Sequence, residues 1–205
     1  MKSVSIIDYG MGNIKSLYNC LKFLGYNPIF YSESNSIKSN ICILPGVGAF
    51  QKAMENIEKN GLFEALNDFR NSGKAILGIC LGMQLMCTSS TENGPCLGLD
   101  WLNATVEKLP EKEGFTIPHI GWNDIQINFE HPVLDKIEDG DQFYFVHSYY
   151  AKLPHEQEIA SSTEYGNMKF CSALAKDNLF ATQFHLEKSG ELGLKILKSF
   201  GDWNP

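Results

Sequence analysis

The segment AILGICLGMQ, residues 75 to 84, constrains the fold more than any other stretch of this chain. A five-residue apolar run, the length of a buried strand and too short for a helix, meets Gly78-x-Cys80-x-Gly82 and then a helical pattern. Such a sequence turns sharply from strand to helix and holds its central residue in a strained, exposed position. Glycines flank it because side chains there would collide with the neighbouring chain. In chemical terms it is the cysteine version of a nucleophile elbow.

The rest of the first half repeats the same rhythm. A β-type run, KSVSII, leads into DYGMGN; Ile14, Leu17, Leu21 and Leu24 then mark one helical face, and Gly25 is placed to stop that helix. A strand around Ile41 to Leu44 breaks at PGVG, and helical segments follow from about Phe50 to Asn71. This βαβ alternation predicts an α/β domain with a mostly parallel sheet and helices on both faces. After about residue 97 the chain changes to shorter β-rich runs: ATVEKL, DIQINF, DQFYFVHS, FCSALA and LFATQF. A last helix from about Gly190 to Phe200 carries Leu192, Ile196 and Phe200 on one face. With no repeat and no long linker, residues 1–205 read as one domain with a β-rich extension.

Charge narrows the partners. A formal net charge of −7 and a pI near 5.2 argue against nucleic acid or an anionic membrane as a partner, because both select clustered Lys and Arg. The start, MKSVSIIDYG, lacks the apolar stretch of a signal peptide, and the run from Ala75 to Cys87 is too short to span a bilayer, so a cytoplasmic location is expected. Six cysteines, at 20, 42, 80, 87, 96 and 171, form neither a CxxC pair nor a Cys/His cluster. No metal site, disulfide framework or cofactor is therefore expected, and most of these residues read as small core hydrophobes.

Cys80 stands apart because of its flanking glycines; Cys87 and Cys96 lack that setting. A helix beginning at Leu81 would aim its N-terminus at the sulfur and favour the thiolate. A thiolate attacking an acyl carbon needs donors for the developing oxyanion. PGVGAF, residues 45 to 50, follows a strand at the same end of the sheet, where Gly46 and Gly48 would let backbone N–H groups turn inwards and Leu81 would add a second donor. Taken alone, PGVG is an ordinary turn. In QFHLEKSG, residues 183 to 190, His185 and Glu187 would project to the same side of an extended segment. His185 would take and return the thiol proton, and Glu187 would orient the imidazole. His119, in an expected turn at PHIGWN, and His147, at a strand end, read as structural hydrogen-bonding residues.

The segments IIDYGMGN, LPGVGAF, GICLGMQLM, PHIGWN, FYFVHSYY and QFHLEKS occur in that order between residues 6 and 189. In this the chain resembles the class I, triad-type glutamine amidotransferases, and among them the glutaminase subunits of imidazole glycerol phosphate synthase. The resemblance implies a flavodoxin-like fold and hydrolysis of L-glutamine to glutamate and ammonia through a thioester on Cys80. It assigns His185 and Glu187 to the triad and Val47 and Leu81 to the oxyanion site. Substrate contacts would fall on Gly48, Gln84, Glu92, His147 and Ser148, with Glu92 suited to the glutamine ammonium. The ammonia consumer would be a separate (β/α)8-barrel cyclase subunit, which makes imidazole glycerol phosphate and AICAR. It would be met through Asn13, Trp122, Asn123, Tyr144 and Lys188.

One residue departs from that family's usual HPEKS: this chain has Leu186. Leucine restores the backbone freedom and the N–H that proline removes, so slower chemistry on an intact triad is expected. Three other readings share these residues: a paralogue feeding a cyclase-like partner that aminates glycan sugars, a non-catalytic module of the same fold, and a stand-alone cysteine hydrolase. The acceptor subunit separates the first. Turnover at Cys80 separates the second, and the partner-type segments PHIGWN and FYFVHSYY speak against the third.

Overall fold

The computed structural model describes residues 1–33, 37–111 and 116–205. In chain order the first half contains β1 (Ser3–Ile7), α1 (Ile14–Phe23), β2 (Asn27–Tyr31), β3 (Ile41–Leu44), α2 (Phe50–Lys59), α3 (Leu62–Asn71), β4 (Ala75–Ile79) and α4 (Leu81–Leu85). The second contains β5 (Cys87–Ser90), β6 (Cys96–Leu97), β7 (Leu102–Lys108), β8 (His119–Asp124), β9 (Gln126–Ile127), β10 (Gln142–His147), β11 (Tyr149–Lys152), β12 (Ile159–Tyr165), β13 (Met168–Lys176), β14 (Leu179–Thr182) and α5 (Gly190–Asp202).

Eight strands form the central sheet in the order β2-β1-β3-β4-β14-β13-β12-β9. The pairs from β2 to β14 are parallel, and those beyond β14 antiparallel. Alternation along the strands divides the apolar residues between two cores. Cys42 and Leu44 of β3 face Phe50, Ile57, Leu66 and Phe69 of α2 and α3; Ile41 and Ile43 face the side of Leu17 and Leu21 of α1 and Ile196 and Phe200 of α5. Helices thus cover both faces, as the fully apolar β3 and β4 require. The β-rich extension is a four-stranded sheet, β11-β7-β5-β6, and an antiparallel pair, β8 with β10. No described helix is long and apolar enough to cross a membrane.

Two local expectations are corrected. PHIGWN is not a turn: after the cis peptide before Pro118, residues 119 to 124 pair with β10 as a strand. The helical segments expected from Phe50 to Asn71 form as α2 and α3, divided at Gly61, which adopts φ 66°. QFHLEKS does not stay extended; β14 ends at Thr182, and Leu186–Lys188 forms a 3-10 turn. β2 was hidden by Pro28, which a ladder tolerates there because β2 is the sheet edge.

Candidate active site

The site grows from the end of β4. Cys80 has φ 53° and ψ −107°, a left-handed geometry that side chains adopt only where the surroundings enforce it. Its N–H donates to the Thr182 carbonyl at 2.7 Å, tying the elbow to the end of β14. Both flanking glycines are sterically required. A Cβ on Gly78 would meet the Met83 nitrogen at 2.9 Å, and one on Gly82 would lie 1.7 Å from the Leu44 carbonyl oxygen. The helix behind the sulfur, α4, has only five residues. Its macrodipole is accordingly smaller than that of a long helix.

Cys80 opens into a cavity of about 520 Å³ lined by Val47, Gly48, Leu81, Gln84, Glu92, His147, Ser148 and Lys188, with Pro118, Val146 and Tyr149 completing the wall. The PGVG loop is held from below. Tyr9 donates its hydroxyl to the Pro45 carbonyl at 2.7 Å and packs so closely on Gly46 that a Cβ there would lie 1.9 Å from the phenol oxygen. Burial, and then the neighbouring Cys80, push the Tyr9 pKa far above its ordinary value, so the phenol stays a donor. Gly48 has φ 107°, turning the loop at the cavity rim. Glu92 has two tasks: Oε2 accepts the Phe50 N–H at 2.7 Å, satisfying the start of α2, while the residue also lines the cavity.

His185 and Glu187 meet through the 3-10 turn. His185 Nδ1 lies 2.8 Å from Glu187 Oε1, and the pair is almost wholly buried. Because the carboxylate accepts, Nδ1 carries a proton and Nε2 is the variable position. Nε2 is buried without a partner at hydrogen-bond geometry. Burial lowers the His185 pKa, but the Cys80 sulfur and the Glu187 carboxylate outweigh it and hold the imidazole well above its ordinary value. The pocket therefore favours an imidazolium beside sulfur.

A profile for the family described as Glutamine amidotransferase class-I matches residues 5–202. The chain belongs to that family. It is 46% identical over 200 residues to the imidazole glycerol phosphate synthase subunit HisH of Caldanaerobacter subterraneus subsp. tengcongensis, covering 97% of each chain. To the subunit of the same name from Geobacter sulfurreducens it is 41% identical over 208 residues, covering 98% of this chain and 99% of that one. It is thus a glutamine amidotransferase of the HisH group. Solved structures share the fold at low identity: PurLQS from Thermotoga maritima gives a TM-score of 0.77 at 16% identity, covering 97% of each chain. A glutamine amidotransferase from the same organism gives 0.65 at 14%, covering 98% of this chain and 83% of that one.

In this amidotransferase the residues expected at a partner face fall partly together. Trp122 is 55% exposed and meets Tyr144 edge to face at 6.0 Å; Lys188 Nζ sits 5.5 Å from the centre of the Tyr144 ring. Asn13 is exposed at the start of α1. Asn123 instead turns its amide to the Glu164 carbonyl, 3.0 Å, and towards His119 Nε2, 3.4 Å. His119 Nδ1 in turn lies 3.1 Å from His147 Nε2, and His147 Nδ1 is 2.9 Å from the Tyr149 carbonyl. Burial drops the pKa of His119 to about 4 and that of His147 to about 3, so both rings are neutral at pH 7. Among the described residues, no group of three His, Cys, Asp or Glu could hold a metal ion.

Two residues that the sequence reading left without a role belong to this site. Tyr9, within IIDYGMGN, supports the PGVG loop. Gln183, within QFHLEKS, lies against the Cys80 sulfur with its Nε2 at 3.6 Å. Both sit inside segments whose other residues drew attention, and the available signal was a polar group at the end of an apolar strand.

Proposed function

We propose that Cys80 attacks the carboxamide carbon of L-glutamine, that His185 protonates the departing ammonia, and that water then hydrolyses the thioester to glutamate. In the first step the C–N bond breaks as the C–S bond forms; in the second, His185 takes a proton from water, and the sulfur leaves as glutamate is released. Glu187 holds the imidazole tautomer and offsets its charge. The N–H groups of Val47 and Leu81 receive the oxyanion of both tetrahedral intermediates, and each such donor is worth about 10²- to 10³-fold in rate. Glu92 takes the substrate ammonium, while Gln84, Gly48 and the His147–Ser148 backbone hold the rest of the substrate. The ammonia passes to a (β/α)8-barrel cyclase subunit docked over Asn13, Trp122, Asn123, Tyr144 and Lys188, which makes imidazole glycerol phosphate and AICAR in histidine biosynthesis.

The observation that carries this reading is the strained Cys80 elbow beside a buried His185–Glu187 couple at a cavity with room for glutamine. Its test is glutamate release from L-glutamine, with and without the cyclase subunit, for the native chain and for Cys80→Ala. Turnover is expected to vanish in the variant under both conditions. Turnover that survives it would overturn the mechanism.

A further inference from the structure

Gln183 is completely buried, and a buried primary amide is costly unless both its ends are paired. Its orientation follows from its neighbours. Gln84 Nε2 lies 2.8 Å from the Tyr149 carbonyl, and a carbonyl only accepts, so this end of Gln84 is the NH2 group. The same NH2 lies 3.1 Å from Gln183, which must therefore present its oxygen there. The Gln183 NH2 is left facing the Cys80 sulfur, 3.6 Å away, within the range of an N–H···S hydrogen bond.

That direction is locked at its far end. The Tyr149 carbonyl also accepts from His147 Nδ1, which makes His147 Nε2 the acceptor for His119 Nδ1. Every group from sulfur to His119 then has one satisfied orientation, and flipping the Gln183 amide would set two NH2 groups against each other.

We propose that Gln183 is a further catalytic residue: its amide N–H donates to the Cys80 sulfur, stabilising it when it is negatively charged and fixing where it sits at the cavity. This extends the mechanism proposed above and rests on Cys80 being the nucleophile. A hydrogen bond to a charged acceptor is stronger than one to a neutral acceptor, so the contact favours the attacking thiolate and weakens as the thioester forms. The gain is partly offset, because a stabilised thiolate is intrinsically less nucleophilic.

The test compares the native chain with Gln183→Met, of similar length without a donor, and Gln183→Glu, near-isosteric with a carboxylate towards the sulfur. Iodoacetamide labelling at pH 7 is followed by mass on the Cys80 peptide, with Cys80→Ala giving the background from other cysteines. A tenfold loss of thiolate, about half offset on a logarithmic scale by higher intrinsic reactivity, predicts labelling slower by about threefold in Gln183→Met, and slower still in Gln183→Glu. In glutamine turnover with the cyclase subunit, kcat falls with KM within twofold; a residue that only fills space would not give this split in a variant of unchanged circular dichroism. Native labelling rates in either folded variant would overturn the proposal, as would failure of both variants to fold, which would make Gln183 a packing element. Glutamine turnover surviving Cys80→Ala would overturn the mechanism instead, leaving the labelling comparison intact.

Discussion

Cys80 keeps its φ of 53° because two neighbours have no side chain, and the two glycines are not equivalent. Gly82 presses on the Leu44 carbonyl of β3, a backbone atom that cannot move without disturbing the sheet. Gly82→Ala should therefore cost about 3 kcal/mol or more, the upper range for overpacking. Gly73 supplies the control: its φ of 74° is also left-handed, but nothing lies within 4 Å of an added Cβ. Gly73→Ala should cost about 1 kcal/mol, the conformational strain alone. Urea titrations of both variants decide the matter, and equal losses would remove the steric account of the elbow. At this scale much was legible: glycines on both sides of a cysteine state a backbone requirement directly. Gln183 was not, because a glutamine's value depends on what lies across the fold, and Cys80 is 103 residues away. Tyr9 supports a second, local prediction. Tyr9→Phe removes the hydrogen bond to Pro45 and frees the loop carrying Val47, so kcat for glutamine should fall several-fold while the melting temperature moves by only a few degrees.

Elements were legible where one periodicity ran unbroken. β3, β4 and the faces of α1 and α5 follow from apolar runs and from Leu17, Leu21, Ile196 and Phe200. β8 was missed because Pro118, Gly121 and Asn123 carry turn chemistry, while the strand owes its existence to pairing with β10. The 3-10 turn after His185 changes the meaning of Leu186. His185 has φ −91° and ψ 108°, a conformation that a following proline tolerates, and Leu186 occupies the first position of the turn, where proline fits. The leucine side chain is 1% exposed and belongs to the core shared with α1 and α5. Leu186→Pro should then leave the 2.8 Å His185–Glu187 contact in place and the glutaminase rate within about threefold. Lost burial, about 1–2 kcal/mol, exceeds the backbone entropy that proline returns, about 0.4–1 kcal/mol. A melt lowered by a few degrees is expected; a tenfold rate change at unchanged stability would show that this position acts on the triad, as the sequence alone suggested.

Across the whole molecule, titration links the site to stability, and its histidines act in opposite directions. His119 and His147 are buried neutral, with pKa lowered to about 4 and about 3 from an ordinary 6.5. Their contribution is complete above pH 6.5 and is lost as pH falls through those folded values. His185 is raised, so its contribution is complete below pH 6.5 and is lost as pH climbs through its higher folded value. Stability from these three groups therefore peaks close to neutral pH, and each can steepen its limb by up to about 1.4 kcal/mol per pH unit. Among the described residues, those recorded against His119 are His147, Asn123 and the rings of Phe145, Tyr165 and Phe170, and none of these is a carboxylate that would welcome a proton. His119→Gln should lower stability at pH 7 by breaking the link to His147. That deficit should shrink towards pH 4.5, where the native protein must bury or expel a charge that the variant never acquires. Protonation of surface carboxylates affects both proteins alike and cancels in the difference. Urea titrations at pH 7, 5.5 and 4.5 measure it, and a deficit constant across that range would mean that the buried histidine pair does not govern the acid limb.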